Sequence, residues 1–282
     1  MCIRDSTMTP ASAAWSGGSL IGLSTYAYLW QWSDQNPAPM TLEQMLGDAA
    51  AHGAEVFQIC DYPPLAEMSP DELRELRDLA EELDLVLEVG TRGVRPEVLL
   101  RHLEIAQVIG SAYVRSMIQP RDTPLDEVPQ LLAASLPGYA QAGVDLGLET
   151  YEQVPTAELV ALVEQVDHPN LGIVLDPGNS VAALEHPADV LARTAAHVSN
   201  LHIKDFGFSR QEGWVGFLYA GARLGEGLLD YEGLLAGVEP HRRGISQIIE
   251  HWLPWQGDIE QTIRTEQDWI RHNISYLRSR NA

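Results

Sequence analysis

Four side chains able to bind a metal ion follow one another along the second half of the chain. Each lies in or at the end of a short apolar segment, in LGLET, IVLDP, NLHIK and QIIEH. They are Glu149, Asp176, His202 and Glu250. A carboxylate at the end of a buried strand is costly unless it is paired or bound to a cation. Three carboxylates and one imidazole form an oxygen-rich ligand set, which favours Mn²⁺, Mg²⁺ or Co²⁺ and also admits Zn²⁺.

Lys204 is the only lysine among the 18 basic residues of the chain, since all the others are arginine. It lies two residues after His202 on a predicted strand, so both side chains are expected on one face. An ammonium beside a metal ion can neutralise a carboxylate or phosphate, or stabilise a developing enolate oxygen. Arginine, with its rigid fork, does not replace such a compact charge. Lys204 is therefore expected to be a catalytic group or the ion-pair partner of a ligand carboxylate or of Asp205.

The candidate ligands belong to a regular alternation of short apolar segments and longer segments with helical spacing. The predicted strands are 20–28, 55–61, 85–93, 112–118, 144–152, 171–179, 200–208 and 244–252. Strands that alternate with helices predict a parallel sheet. Eight such units in about 260 residues fit a single (β/α)8 TIM barrel better than an open doubly wound sheet. No glycine-rich phosphate-binding fingerprint follows the first strand, which weakens the open-sheet alternative.

The expected domain organisation is one barrel over residues 20–282, preceded by a tail over residues 1–19. The first seven residues, MCIRDST, look like a non-native addition. The segment 209–229 is long for a connection between a strand and a helix, which is typical of a lid or binding loop.

In a TIM barrel the active site lies at the C-terminal ends of the strands. The four candidate ligands should therefore converge at that end. Further polar and aromatic side chains near the same strand ends are candidates for substrate binding. They are Tyr26, Asp61, Arg92, Arg115, Asn179, Arg210 and Trp214. The three arginines favour an anionic substrate, with ordinary salt bridges as the alternative. Trp214 is expected either to cover the site or to form an apolar contact between two copies of the chain in a homo-oligomer.

His251 follows Glu250 directly, and alternation along a strand turns neighbouring side chains to opposite faces. If Glu250 points into the barrel, His251 points outward. We therefore expect His251 to have a structural role.

Composition excludes several classes of partner. The chain has 40 acidic and 18 basic residues, and a net charge of −22 repels nucleic acid and anionic lipid. No run of 18 apolar residues is present, which argues against a membrane-spanning segment. The two cysteines, Cys2 and Cys60, do not form a disulfide framework, and no secretory leader is recognised. A cytoplasmic protein without nucleic-acid or membrane partners is expected.

The segments LGLETYE, GIVLDPGN, NLHIKDF and QIIEHW resemble the four metal-binding motifs of the xylose isomerase-like TIM barrel superfamily. That superfamily contains sugar phosphate isomerases and epimerases, inosose dehydratase and endonucleases of the AP endonuclease 2 type. The resemblance implies that Glu149, Asp176, His202 and Glu250 bind one divalent metal ion, and that both glutamates flank the substrate and move its proton. Asn179 stands where endonucleases and many ketose 3-epimerases have a histidine. The segment HIKD is more similar to the inosose dehydratase branch of the superfamily than to the epimerases.

These observations predict a metal-dependent isomerase or epimerase that acts on a small polyhydroxy carbonyl compound, a sugar or sugar acid. Glu149 or Glu250 would be the general base, and Lys204 would help to hold the enediolate. The first alternative is a lyase of the same fold, either a 3-oxo sugar acid decarboxylase or an inosose-type dehydratase. The second is a sugar-binding module without enzymatic activity, which would not need two carboxylates beside the metal ion.

Overall fold

The computed structural model describes residues 18–211, 213 and 215–281. Eight parallel strands close into a barrel in the order β1-β10-β7-β6-β5-β4-β3-β2, and β2 pairs with β1. These strands are Ile21–Ser24 (β1), Val56–Ile59 (β2), Val86–Gly90 (β3), Tyr113–Ser116 (β4), Asp145–Glu149 (β5), Leu171–Leu175 (β6), Val198–Ile203 (β7) and Gln247–Ile249 (β10). The predicted single (β/α)8 barrel is confirmed. Residues 1–17 of the predicted tail lie outside the described residues.

Helices cover the outside of the barrel. Their bounds are Leu29–Trp32 (α1), Leu42–Ala51 (α2), Pro64–Glu67 (α3), Pro70–Glu82 (α4), Pro96–Ile109 (α5), Val128–Ala142 (α6), Thr156–Val166 (α7), Pro177–Ala182 (α8), Pro187–Thr194 (α9), Tyr231–Val238 (α10), Pro240–Arg243 (α11) and Ile259–Arg280 (α12). Thr25–Tyr28 and Ala195–His197 are 3-10 helices. No helix in the described part of the chain has the length and apolar character needed to cross a bilayer.

Local sequence explains where the helices begin and end. Ser69 accepts a hydrogen bond from the Glu72 amide, and the Glu72 side chain bonds back to the Ser69 amide, so a capping box starts α4. Helix α5 ends at Gly110, whose φ of +75° lies in the left-handed region that glycine tolerates.

The segment predicted as a long loop contains an antiparallel hairpin instead. Phe206–Arg210 (β8) pairs with Phe217–Gly221 (β9) just after β7, so the predicted seventh strand is two strands. Gly213 and Gly216 adopt positive φ angles in the turn between them, which glycine does at low cost. Trp214 lies outside the described residues.

His251 faces outward, as alternation predicts. Its Nε2 accepts a hydrogen bond from Asn273 Nδ2 of α12 at 2.9 Å, and its ring packs edge-on against Trp269. The imidazole is buried, and burial lowers its pKa to about 3. His251 therefore packs between the barrel wall and α12 as a neutral side chain.

The buried neutral His251 should make the protein sensitive to mild acid. Below pH 6.5 the His251 imidazole binds a proton in the unfolded chain but not in the folded protein, so the free energy of unfolding falls as pH decreases towards 3. Near pH 5 the loss from this group is about 2 kcal/mol. Urea unfolding near pH 7.5 and pH 5 measures it, with His251→Gln as the variant that lacks the titrating group. An equal loss of stability in both proteins would contradict this assignment.

Candidate metal centre

The barrel brings the four predicted ligands together at the C-terminal ends of its strands. His202 lies on β7, Glu149 ends β5, Glu250 follows β10, and Asp176 follows β6 and caps α8 by accepting from the Asn179 amide. All four side chains are buried. The sequence therefore identified four groups that do meet in space.

The imidazole of His202 is at the centre of this cluster. Its Nδ1 is 3.4 Å from Glu149 Oε1, 3.5 Å from Glu250 Oε1 and 4.0 Å from Asp176 Oδ2. Nδ1 is buried and forms no hydrogen bond among the described residues. Nε2 lies 2.8 Å from Gln58 Oε1. A buried nitrogen that faces three carboxylates without a hydrogen-bond partner is suited to a cation.

One ligand atom from each of Glu149, Asp176 and His202 lies within 4.8 Å of the other two, which is compact enough for a single ion. Cys60, His202 and Glu250 form a second group of the same compactness. Burial raises the pKa of the Cys60 thiol, which keeps it protonated. The oxygen-rich set therefore fits a divalent metal ion better than the thiol does.

Lys204 contacts two carboxylates of the cluster. Its Nζ is 2.8 Å from Asp176 Oδ2 and 3.0 Å from Glu250 Oε2, and 4.3 Å from the ring centre of Trp252. Burial alone would lower the pKa of Lys204, but the surrounding carboxylates, Asp176 first, raise it above its ordinary value. The ammonium therefore stays charged beside the proposed ion.

Asp205 is not the partner of Lys204. Its carboxylate instead accepts four backbone N–H groups at 2.8–3.0 Å, those of Phe206, Gly225, Gly227 and Leu229. A side chain at Gly227 would meet the Asp205 carboxylate at 2.2 Å, so only glycine fits there. This one carboxylate thus fixes the path of the chain both at the start of the hairpin and in the segment after it.

The hairpin is connected to the cluster through Trp252. The Gly221 amide donates to the Trp252 carbonyl oxygen at 3.0 Å, and a Cβ at Gly221 would lie only 2.7 Å from that oxygen. Tyr219 packs edge-on against the Trp252 ring and donates from its hydroxyl to the Gly178 carbonyl. The hairpin therefore supports the aromatic side chain that covers Lys204.

Arg115 forms a buried ion-pair network next to the cluster. Its guanidinium contacts Glu149 Oε2, lies 3.2 Å from Asp61 Oδ1 and donates to the Thr91 carbonyl at 3.0 Å. Burial would raise the pKa of Glu149, but Arg115 and then His202 lower it well below its usual range. Arg115 therefore holds Glu149 ionised, which leaves its guanidinium little capacity for a substrate.

Arg92 differs from Arg115 in its exposure. Its Nε is 3.0 Å from Asp61 Oδ2, and its Nη2 donates to the Tyr26 hydroxyl at 2.6 Å. Its side chain is 45% exposed, against 2% for Arg115 and 4% for Lys204. Nη1 of Arg92 has no partner among the described residues. Arg92 is thus the most exposed of these three cations and has a donor group left for a ligand.

The remaining predicted substrate contacts divide into two groups. Asn179 lies at the site, but its Nδ2 donates to Glu149 Oε1 at 2.7 Å and to the Thr150 carbonyl, so it orients a ligand carboxylate. Arg210 lies on the hairpin with its guanidinium 4.5 Å from the Phe217 ring centre. Arg210 is exposed and is not among the described residues that line the cavity over the cluster.

A cavity of about 270 Å³ lies over the cluster. Its lining residues are Tyr26, Arg92, Arg115, Met117, Glu149, Tyr151, Glu152, Asn179, Ala182, Lys204, Glu250 and Trp252. Trp252 was not predicted from the sequence, although it lies two residues after Glu250 and alternation would place both side chains on one face. Gln58 is buried and contacts His202 rather than lining this cavity.

The fold and the cluster define the class of the protein. The chain belongs to the xylose isomerase-like TIM barrel family, whose model matches residues 46–278. It is 50% identical over 263 residues to 3-oxo-isoapionate decarboxylase of Pectobacterium atrosepticum, which covers 93% of this chain and 96% of that protein. The predicted family and an enzyme of this fold are thus confirmed.

Solved structures share the fold at low sequence identity. D-psicose 3-epimerase of Clostridium cellulolyticum H10, solved with D-tagatose, superposes with a TM-score of 0.71 at 14% identity and covers 92% of this chain and 98% of its own. A xylose isomerase-like TIM barrel protein of Mycobacterium smegmatis, solved with magnesium, gives 0.66 at 16% identity, over 92% and 97% of the two chains. The predicted isomerase or epimerase activity is not confirmed, since the 50% identical relative is a lyase.

Proposed function

We propose that the protein is a divalent-metal-dependent decarboxylase of a 3-oxo sugar acid, of the same kind as 3-oxo-isoapionate. The observation that carries this proposal is the 50% identity to 3-oxo-isoapionate decarboxylase over nearly the whole length of both chains. The cationic side chains around the cavity support it, because such a substrate is an anion. A decarboxylase of this kind was part of the first alternative predicted from the sequence, and it replaces the isomerase or epimerase that was the preferred prediction.

The reaction follows from the position of the oxo group. In a 3-oxo acid the carbonyl is β to the carboxylate, so the bond between C1 and C2 can break with its electron pair delocalised onto the C3 oxygen. CO₂ leaves, and C2 then takes up one proton to give a ketone. The negative charge therefore moves from the carboxylate to the C3 oxygen, and stabilisation there lowers the barrier.

Glu149, Asp176, His202 and Glu250 are the residues that would hold the metal ion. A bound divalent ion supplies Lewis-acid polarisation of a carbonyl group. Glu149 is bound by Arg115 and Asn179 and its pKa is depressed, so it is poorly suited to remove a proton from carbon. Decarboxylation does not require that step.

Lys204 and Arg92 have separate roles in this proposal. Asp176 and Glu250 take two of the three N–H groups of Lys204, which leaves one for the C3 oxygen as charge develops. Arg92, at the wetter edge of the cavity, binds and orients the carboxylate. Partial hydration there is favourable, because a deeply buried cation on the carboxylate would stabilise the charge that must be lost.

The test is to incubate the protein with Mn²⁺ or Mg²⁺ in D₂O with 3-oxo sugar acids, ketoses and inososes, and to identify products by mass spectrometry. A product lighter by CO₂ with one deuterium on carbon supports the decarboxylase. Loss of water would assign a dehydratase. Deuterium in a product of unchanged heavy-atom composition would assign the isomerase, and either result would overturn the proposal.

Arg92→Gln is expected to raise KM for the sugar acid by about 10–100-fold, because a charge-assisted hydrogen bond to the carboxylate is lost. The ketone product lacks the carboxylate, so its inhibition constant should change little. Steady-state kinetics with product inhibition measure both values. Equal weakening of acid and ketone would contradict a carboxylate-specific role.

A further inference from the structure

We propose that Gln58 and Glu88 fix the tautomer of His202, so that its Nδ1 is free of hydrogen and ready to bind the metal ion. The inference rests on the metal site of the proposed function but not on the reaction catalysed there. Both residues are positioning residues, because they act through His202 and do not line the cavity.

The contacts form a chain across the barrel interior. Gln58 on β2 donates from Nε2 to Glu88 Oε2 on β3 at 2.8 Å, and its Oε1 is 2.8 Å from His202 Nε2. An amide oxygen only accepts hydrogen bonds, so His202 Nε2 must carry the hydrogen. In the neutral imidazole Nδ1 then has a lone pair, which points towards the ligand carboxylates.

The orientation of the Gln58 amide is itself determined by its surroundings. Glu88 Oε2 accepts from Gln58 and also from Asn200 Nδ2 at 2.8 Å, and a carboxyl oxygen can accept whether or not the group is ionised. On the other side, Gln58 Oε1 accepts from both His202 Nε2 and the Cys60 thiol at 2.7 Å. A flipped amide would place its NH₂ group against two donors and its oxygen against an acceptor.

Without this acceptor the neighbouring carboxylates would favour the other tautomer. Glu149 Oε1 and Glu250 Oε1 are 3.4 and 3.5 Å from Nδ1, and a hydrogen on Nδ1 would point towards them. That hydrogen would occupy the lone pair that a metal ion needs. Gln58 therefore keeps the hydrogen on Nε2 of His202, although the nearby carboxylates favour it on Nδ1 before a metal ion binds. Hydrogen-bond partners of metal-binding side chains generally have this orienting role.

The experiment compares two variants with the whole wild-type chain. Gln58→Leu removes the acceptor at similar volume. The double variant Gln58→Glu, Glu88→Gln exchanges the two groups and keeps the net charge. The new carboxylate at position 58 accepts a hydrogen bond from His202, and the new amide at position 88 donates one to that carboxylate. Mn²⁺ affinity is measured by titration, and the tautomer by ¹⁵N NMR of histidine-labelled, metal-free protein at a pH where the imidazole is neutral.

We expect Gln58→Leu to weaken Mn²⁺ binding by about 10–100-fold and to move the His202 hydrogen to Nδ1. The exchange variant should bind within about threefold of wild type, since His202 keeps its acceptor. If Gln58 and Glu88 had only a structural role, the exchange variant would lose more Mn²⁺ affinity than Gln58→Leu, because the exchange disturbs two buried positions and Gln58→Leu only one.

Three results would overturn the inference. They are wild-type affinity in Gln58→Leu, affinity in the exchange variant as low as in Gln58→Leu, and wild-type His202 with its hydrogen on Nδ1. The last is measured without any variant, so the inference stays testable if a variant fails to fold. If only the proposed decarboxylase activity were wrong, the product analysis would show it, while the Mn²⁺ affinities of the variants would keep their expected order. A wild-type protein that binds no Mn²⁺ would overturn both.

Discussion

Lys204→Met is expected to lower kcat by about 10²–10³-fold, because the ammonium that stabilises the developing negative charge is lost. Lys204→Arg should lose nearly as much. A guanidinium is a wider, planar group, and the space between Asp176, Glu250 and the Trp252 ring holds a compact ammonium. Steady-state kinetics at saturating metal and substrate measure the effect.

Metal affinity separates this role from general damage to the site. Removing the positive charge leaves Asp176 and Glu250 without Lys204, so Mn²⁺ should bind Lys204→Met as tightly as wild type or more tightly. Arg280→Met is a matched control, because the Arg280 guanidinium lies over the Tyr276 ring on the protein surface. That variant should keep full turnover. Folded Lys204→Arg with undiminished turnover would refute the catalytic role.

Arg115→Leu is expected to lower the free energy of unfolding by about 3–5 kcal/mol, because Glu149 and Asp61 lose their buried counter-ion. Urea unfolding of the metal-free protein near pH 7.5 measures it. Arg243→Leu is the matched control. Its Nη1 donates at 2.7 Å to the Ala195 carbonyl and its Nη2 at 2.6 Å to the Val198 carbonyl, so its loss strands no carboxylate. A loss of only about 1–2 kcal/mol is expected there.

The dependence on pH gives a second check on Arg115. The folded-state pKa of Glu149 lies below its unfolded value, so the stability it contributes is present above about pH 4.5 and lost at lower pH. In Arg115→Leu the buried Glu149 would instead be stabilised by protonation. The difference in the free energy of unfolding between wild type and Arg115→Leu should therefore shrink on acidification from neutral pH towards pH 4. A difference independent of pH would contradict the buried ion pair.

The sequence predicted the barrel and the ligand cluster because both depend on local signals. A carboxylate or histidine within a short apolar strand is visible in one dimension, and the barrel topology then determines where the strand ends meet. The equivalent positions of Glu149 and Asp176 could thus be inferred without knowing any distance. Lys204 could be placed for the same reason, from its two-residue separation from His202.

Contacts between distant strands could not be predicted in this way. Arg115 could have bound substrate or a carboxylate, and the choice depends on Glu149 and Asp61, which lie 34 and 54 residues away. Gln58 is 144 residues from His202, and their contact exists only because the barrel closes. The hairpin was missed because the length of the segment 209–229 suggested a loop, whereas part of that segment forms β9, which pairs with β8 across a turn that contains Gly213 and Gly216.

The Asp205 carboxylate holds the start of the hairpin at Phe206 and the segment after the hairpin at Gly225, Gly227 and Leu229, through backbone amides alone. Such an anchor does not depend on most of the side chains in the segment, apart from the glycines at positions 225 and 227, where a Cβ would meet Tyr276 at 2.5 Å and Asp205 at 2.2 Å. Mutations can therefore accumulate in this segment without changing its path. The course of this part of the chain is thus set by one side chain outside it, so most of its residues can be replaced while the strands that carry the cluster stay as they are.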